Sequence, residues 1–417
     1  MNFWQTVRSP AMPASAPLPA SFDIALAVAL AVLGFFLPFS VAGVSIMLLV
    51  LAVLALSAAP SILRSAPWRD PVVAVGLLLL AYIATHTLVI SAFQPGSLKI
   101  VNRYHELLMA PIFLALFRLV KRKDAFFWGL TVGAVGYAAT HWAAFFVPSL
   151  AASLASRRIS AGFDLALLAF VIFEYARHST HPWRWRAVAV FLAGTVIFAV
   201  EGRTGQVVLL VIVACAAWLH SPRRWRLVAV VCVPAAVLAL ALTSSAVQKR
   251  LAETVADSQT DGNSALTSTR IRIEFLRGGL FLAKENYLTG AGFARYAEIQ
   301  RQAIDTRYSH DPVRKQHIEA NLTTMNNPHN EYLMQIVGGG VAALALFMAW
   351  LVLPMLRKPQ PGSMDACLVG VSLAFATGCL FNSMLMDFVE GHFYVTLLMW
   401  LLARGTTWPA QTSARLI

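Results

Sequence analysis

The sequence predicts an all-α polytopic membrane protein of about 12 transmembrane helices with a large helical periplasmic loop between spans 9 and 10. Three observations predict it. Of its 417 residues, 58% are hydrophobic and only 13% charged, whereas a soluble domain carries about 25% charged residues. Apolar runs suited to a ~30 Å hydrocarbon core, which takes ~20 helical residues, recur from Phe22 almost to the C-terminus. Lys and Arg cluster between those runs, and alternate clusters are rich and poor in them. That alternation is the signature of a topology signal, so the net charge of +13 does not imply nucleic acid.

Residues 1–20, rich in Ala, Pro and Ser from Ser9 to Pro19, read as a disordered cytoplasmic N-terminus ahead of a retained first helix. Residues 21–242 hold spans 1 to 9: Ser21–Pro38, Val41–Ala59, Val72–Phe93, Leu107–Val120, Phe126–Phe146, Phe163–Tyr175, Ala187–Val200, Val207–Leu219 and Leu227–Leu242. Residues 243–331 form the periplasmic loop, with helices expected over Gln248–Ala256, Leu266–Asn286 and Ala294–Glu319. Residues 332–403 hold spans 10 to 12, over Tyr332–Met355, Ala366–Leu385 and Phe393–Leu402, and 404–417 form a cytoplasmic tail. With both termini inside, the inner connections and tails carry seventeen Lys and Arg, and the short outer connections five. The four cysteines lie within apolar runs without a CxxC spacing, which points to packing rather than a zinc site or a disulfide framework.

Under this topology the polar residues hardest to explain as packing meet at the periplasmic edge. His329, in Asn327-Pro328-His329-Asn330-Glu331, is expected in the first turn of span 10, with Asn327 as cap and Pro328 at the first helical position. There a neutral imidazole can accept a proton. Arg272 leaves the exposed face formed by Arg270, Arg277 and Lys284 and joins a stripe with Leu276, Gly279, Leu280 and Ala283, expected to pack on the membrane domain. An arginine aimed into a packed face needs an anion. Arg203 sits in the turn Gly202-Arg203-Thr204-Gly205, where flanking glycines let backbone approach a ligand and a guanidinium fork matches phosphate oxygens. Glu331, Asp387, Glu390 and His392 are candidates to orient His329 or an acceptor, and Arg270 and Arg277 are candidates for secondary basic contacts.

The sequence has no Asp-x-Asp pair, HExxH, Walker-type loop or Gly-x-Ser-x-Gly elbow, so the chemistry expected uses no metal and no cofactor. It shows no internal repeat and few ionisable groups within spans, which sets a flippase or other transporter behind an enzyme.

The order of an Arg-Thr-Gly turn, a long loop with Arg272 ahead of Gly290-Ala291-Gly292-Phe293, and then Pro328-His329-Asn330-Glu331-Tyr332-Leu333 resembles the O-antigen ligase superfamily. The resemblance covers most of Val200 to Phe393, while the N-terminal half matches in its plan of spans. Leu276 stands where the family often has tryptophan, a local packing difference. What the resemblance implies is a GT-C-like transferase of the bacterial inner membrane, active on its periplasmic face, that moves a polysaccharide from undecaprenyl diphosphate to a sugar hydroxyl of lipid A-core. By the same resemblance Arg203 and Arg272 hold the diphosphate and His329 activates the acceptor. Sibling enzymes that use the same donor, an O-antigen polymerase or a protein O-oligosaccharyltransferase, are the alternatives.

Overall fold

The computed structural model describes residues 19–90, 96–259, 268–322, 327–357 and 364–404, and among these every regular element is helical. Most of the expected N-terminal and C-terminal tails lies outside the described residues. The chain enters with α1 (Ala20–Phe36), α2 (Val41–Ser57) and the short α3 (Ala59–Ser65). It continues through α4 (Pro71–Ile90), α5 (Ser97–Val101), α6 (Glu106–Leu119), α7 (Ala125–Ala143), α8 (Pro148–Ala155), α9 (Arg158–Ala176), α10 (Pro182–Phe198), α11 (Arg203–His220) and α12 (Arg226–Leu242). The loop holds α13 (Ser245–Gln259), α14 (Ser268–Asn286), α15 (Tyr296–Arg307) and α16 (Pro312–Leu322), and the chain closes with α17 (Glu331–Val352), α18 (Asp365–Gly378) and α19 (Phe388–Arg404).

Each of the twelve apolar runs overlaps a helix, Ala366–Leu385 only as far as Gly378, but the count of membrane crossings is smaller by length and composition. Among the described residues six helices are long and apolar enough to cross, seven if the pair Val41–Ser57 and Ala59–Arg69, bent by 82°, is one span. The other runs are helices that are shorter, as α1 and α18 are, or diluted by polar residues and glycine, as α7 is. The core lies where α9, α18 and α19 meet, around the stacked rings of Phe375 and Tyr394 and the fully buried Trp350 and Trp400. Two glycines let α9 and α11 approach: a Cβ on Gly205 would stand 2.4 Å from the Gly162 backbone.

The expected helix Ala294–Glu319 is two helices, α15 and α16. Asp311 starts the second by accepting from the Arg314 N–H at 3.0 Å, with Pro312 at the first helical position. These helices close on α14 over Phe275, Ile304 and Ile318. Beside that small core the buried Glu274 carboxylate meets Arg277 at 3.1 Å, Arg307 at 3.2 Å and Arg314 at 3.3 Å. Burial pushes the Glu274 carboxyl up, but the Tyr308 hydroxyl bond and the arginine charges outweigh it and hold the group below its ordinary value.

The loop is locked to the bundle through a break in α17. At Gly340 the backbone turns to φ 70°, ψ −167°, a conformation glycine adopts at little cost. The segment after α14 enters this break: Ala291 N–H donates to Val337 O at 2.8 Å, Gly292 N–H to Gly338 O at 2.9 Å, and Val341 N–H to Tyr287 O at 2.7 Å. The Tyr82 hydroxyl takes up Gly339 O at 2.7 Å, so carbonyls freed by the break are satisfied, as they must be at membrane depth. Phe293 then packs against Gly338 and Gly339, where a Cβ would meet its ring at 2.5 and 2.8 Å. Gly290-Ala291-Gly292-Phe293 is therefore the plug that sets α14 against α17.

Candidate active site

At the end of the bundle where α11 and α17 begin lies a cavity of about 390 Å³. Its described lining includes Arg203 and Thr204 from α11, Arg272 and Leu276 from α14, and His329 ahead of α17, with Leu380 and Phe381 closing one side. No carboxylate is among the described lining residues, and Leu276 and Leu380 are exposed, so one wall is apolar and open.

His329 lies outside the helix that was expected to hold it. α17 starts at Glu331, capped by Asn330, whose side chain accepts from Leu333 N–H at 3.0 Å. His329 precedes that cap with φ 49°, a left-handed conformation that costs a non-glycine residue energy and is met at functional sites. Neighbours hold it there. Its N–H donates to Asn327 Oδ1 at 2.9 Å, and the ring of Phe275 packs edge-on at 5.0 Å. Its Nδ1 lies 2.9 Å from Asn382 Oδ1, while Asn382 Nδ2 donates to Asp387 Oδ2 at 2.7 Å. Because the amide turns its NH₂ to the carboxylate, its oxygen accepts from an Nδ1–H, and the basic lone pair of the imidazole falls on Nε2. Burial raises the Asp387 carboxyl, and the charge of His329 and the Asn382 bond pull it down. Asn382, which the sequence did not single out, thus joins Asp387 to His329.

Arg203 is the first residue of α11 rather than part of a turn, and Gly202 is its cap. The flanking glycines serve helix packing: a Cβ on Gly202 would lie 2.4 Å from Arg158 O, as one on Gly205 would crowd Gly162. Arg203 and the start of an 18-residue helix present positive charge to the cavity together. Arg272 is half-buried. Burial, then the positive charges of Arg203 and Arg158, push its guanidinium below its ordinary value. The expected packed stripe is only partly packed: Ala283 is buried and Gly279 meets Leu333, but Leu276 and Leu280 are 46% and 55% exposed. The Arg272 edge of α14 therefore borders open space.

The remaining candidates divide. Asp387 joins the His329 relay. Glu331 is fully buried and turned inward, accepting from Gln335 Nε2 at 2.7 Å and Leu385 N–H at 3.1 Å, so it fixes the backbone of the segment that carries Asn382. Glu390 accepts from Ser160 Oγ at 2.8 Å, and His392 bonds Phe388 O at 2.8 Å; neither is among the described lining residues. Arg277 is held by Glu274, and Arg270 is likewise absent from that lining.

Fold and site together define a class: a membrane protein, helical in all its described regular elements, with one cavity lined by two guanidinium groups and an imidazole held by its neighbours. Residues 188–348 match the family model described as O-Antigen ligase, a family of glycosyl-transferring membrane enzymes. The matched segment runs from α10 into α17 and contains Arg203, Arg272 and His329. No curated protein matches the chain.

Proposed function

We propose that this protein is an O-antigen ligase: an inverting, metal-independent transferase of the bacterial inner membrane that moves a glycan from undecaprenyl diphosphate to a sugar hydroxyl of lipid A-core. The observation that carries the reading is the convergence of Arg203, Arg272 and His329, from three separate elements, on one cavity.

In this reading the acceptor hydroxyl approaches the anomeric carbon and gives its proton to His329 Nε2 as the new C–O bond forms. The bond between that carbon and the diphosphate oxygen breaks on the opposite face, which inverts the centre. Charge that develops on the diphosphate falls to Arg203, Arg272 and the first turn of α11, in the role that a divalent ion fills elsewhere. The donor's own diphosphate supplies the driving force, and the apolar wall at Leu276 and Leu380 suits its lipid. The cavity faces the periplasm in the topology that the basic clusters favour.

The test is reconstitution with lipid-linked glycan and lipid A-core. His329→Ala is expected to reduce transfer about 10²–10⁴-fold, the usual range for a lost general base, and transfer by the parent persists in EDTA. Growth of lipid-linked glycan without lipopolysaccharide product would identify a polymerase instead, and a requirement for added Mg²⁺ or Mn²⁺ would remove the arginine mechanism.

A further inference from the structure

Away from the cavity, three metal-ligating side chains meet where α6 begins and α19 completes its first turn. We propose that His105, Glu106 and His392 form a binding site for one divalent transition-metal ion of the zinc or cobalt type, which ties α6 to α19. One ligand atom from each lies within 4.8 Å of the others, and the two imidazole rings are 4.7 Å apart.

The polar atoms here have little else to meet: the contact of the Glu106 carboxyl is with His105 Nδ1, which stands 3.9 Å from Oε2, beyond hydrogen-bond reach. Glu106 is fully buried, and neither of its carboxyl oxygens has a hydrogen-bond partner among the described residues; His392 is 1% exposed, and its Nε2 is likewise without one. A buried carboxylate in that condition is costly unless a cation or a proton joins it. The imidazoles are set up for the cation. His105 Nδ1 lies 2.6 Å from Asn102 O and His392 Nδ1 2.8 Å from Phe388 O. A carbonyl can only accept, so each Nδ1 carries the proton and each Nε2 the lone pair. An imidazole backed by a carbonyl in this way is the usual outer-shell support of a metal ligand.

Two imidazoles and one carboxylate suit Zn²⁺, Co²⁺ or Fe²⁺ over the oxygen-seeking Mg²⁺ and Ca²⁺, and leave a position for water. Metal–nitrogen bonds of about 2.0–2.1 Å would draw the three atoms closer than they now stand. The His105 side chain is 30% exposed, which gives the ion a way in. None of the three is among the described residues lining the cavity, so the ion is a clamp beside the transfer site and not its electrophile.

The proposal stands apart from the transferase reading, because its test reads metal binding. The purified full chain, stripped with EDTA and titrated with Co²⁺, is expected to take up one equivalent, with the visible absorption of low-coordinate cobalt and a thermal midpoint raised by about 3–5 °C. His105→Ala, His392→Ala and the shape-preserving Glu106→Gln should each lose that uptake, while Arg272→Ala keeps it. A stripped chain without saturable Co²⁺ uptake, or uptake that survives in all three variants, would overturn the site and leave Glu106 as a buried neutral acid.

Discussion

Arginines at the two ends of α17 meet opposite surroundings. At the end that carries Arg357, Asp70 takes Arg357 at 2.7 Å and Arg118 at 3.4 Å, and Asp124 takes Arg404. In the loop, Glu274 similarly collects Arg277, Arg307 and Arg314. At the His329 end, Arg272 makes no ion pair among the described residues, and the charges that act on it most are those of Arg203 and Arg158. A shared carboxylate makes an arginine part of the scaffold. A half-buried arginine set among other cations is held at a cost, which an anion bound beside it would offset.

The contrast can be broken by exchanging the consequences of mutation. Arg272→Ala should lower transfer about 10²–10³-fold with little change in melting temperature, and Arg272→Lys, which keeps the charge but loses the fork, should recover part of that loss. Asp70→Asn should do the reverse. It strands Arg118 and Arg357 and costs about 1–3 kcal/mol, since both partners are partly solvated, while transfer per folded molecule holds. Equal activity losses from the two substitutions would erase the distinction. Asn382→Ala, which frees the imidazole to choose the other tautomer, should cost transfer roughly 10–100-fold, with donor KM nearly unchanged.

The smallest effect sharpens the comparison through pH. The Glu274 carboxyl is held below its ordinary value in the folded loop, so its stabilising contribution is complete above the unfolded carboxylate range and fades as pH falls through the folded value. Glu274→Gln should therefore destabilise the loop by about 1–2 kcal/mol near neutrality. The gap between the melting curves of the variant and the parent should close on acidification. A gap that widens in acid would reverse the sign of the argument.

Much of the fold was legible because membrane insertion writes itself into composition: every one of the twelve apolar runs overlaps a helix. Their number as crossings was less legible, since runs such as α7 and α10 are helical yet too polar or too short to qualify alone. Arg203 and Arg272 could be chosen from charge in the wrong place and His329 from its position at an expected helix start, and the cavity gathers them. Their local settings could not. Asn327-Pro328 resembles a helix start, but Asn330 is the residue that caps Leu333, and two capping sequences in succession cannot be ranked without the fold. Asp311-Pro312 was a readable start that the apolar period of the segment obscured. Asn382 and the pair His105-Glu106 acquire meaning only through partners far along the chain, a relation that spacing does not encode.

The plugged break in α17 has an engineering consequence. Because Tyr287 and Ala291 are bonded to Val341 and Val337, the stretches from Arg272 to the plug and from His329 to Gly340 behave as two rulers read from a common zero. On the proposed mechanism, one residue inserted in either ruler, which turns a helix by about 100°, should silence transfer, whereas extra length in the turn between Tyr308 and Asp311, outside both, should be absorbed. That turn is the place to graft an affinity tag or a fluorophore that leaves the reaction running.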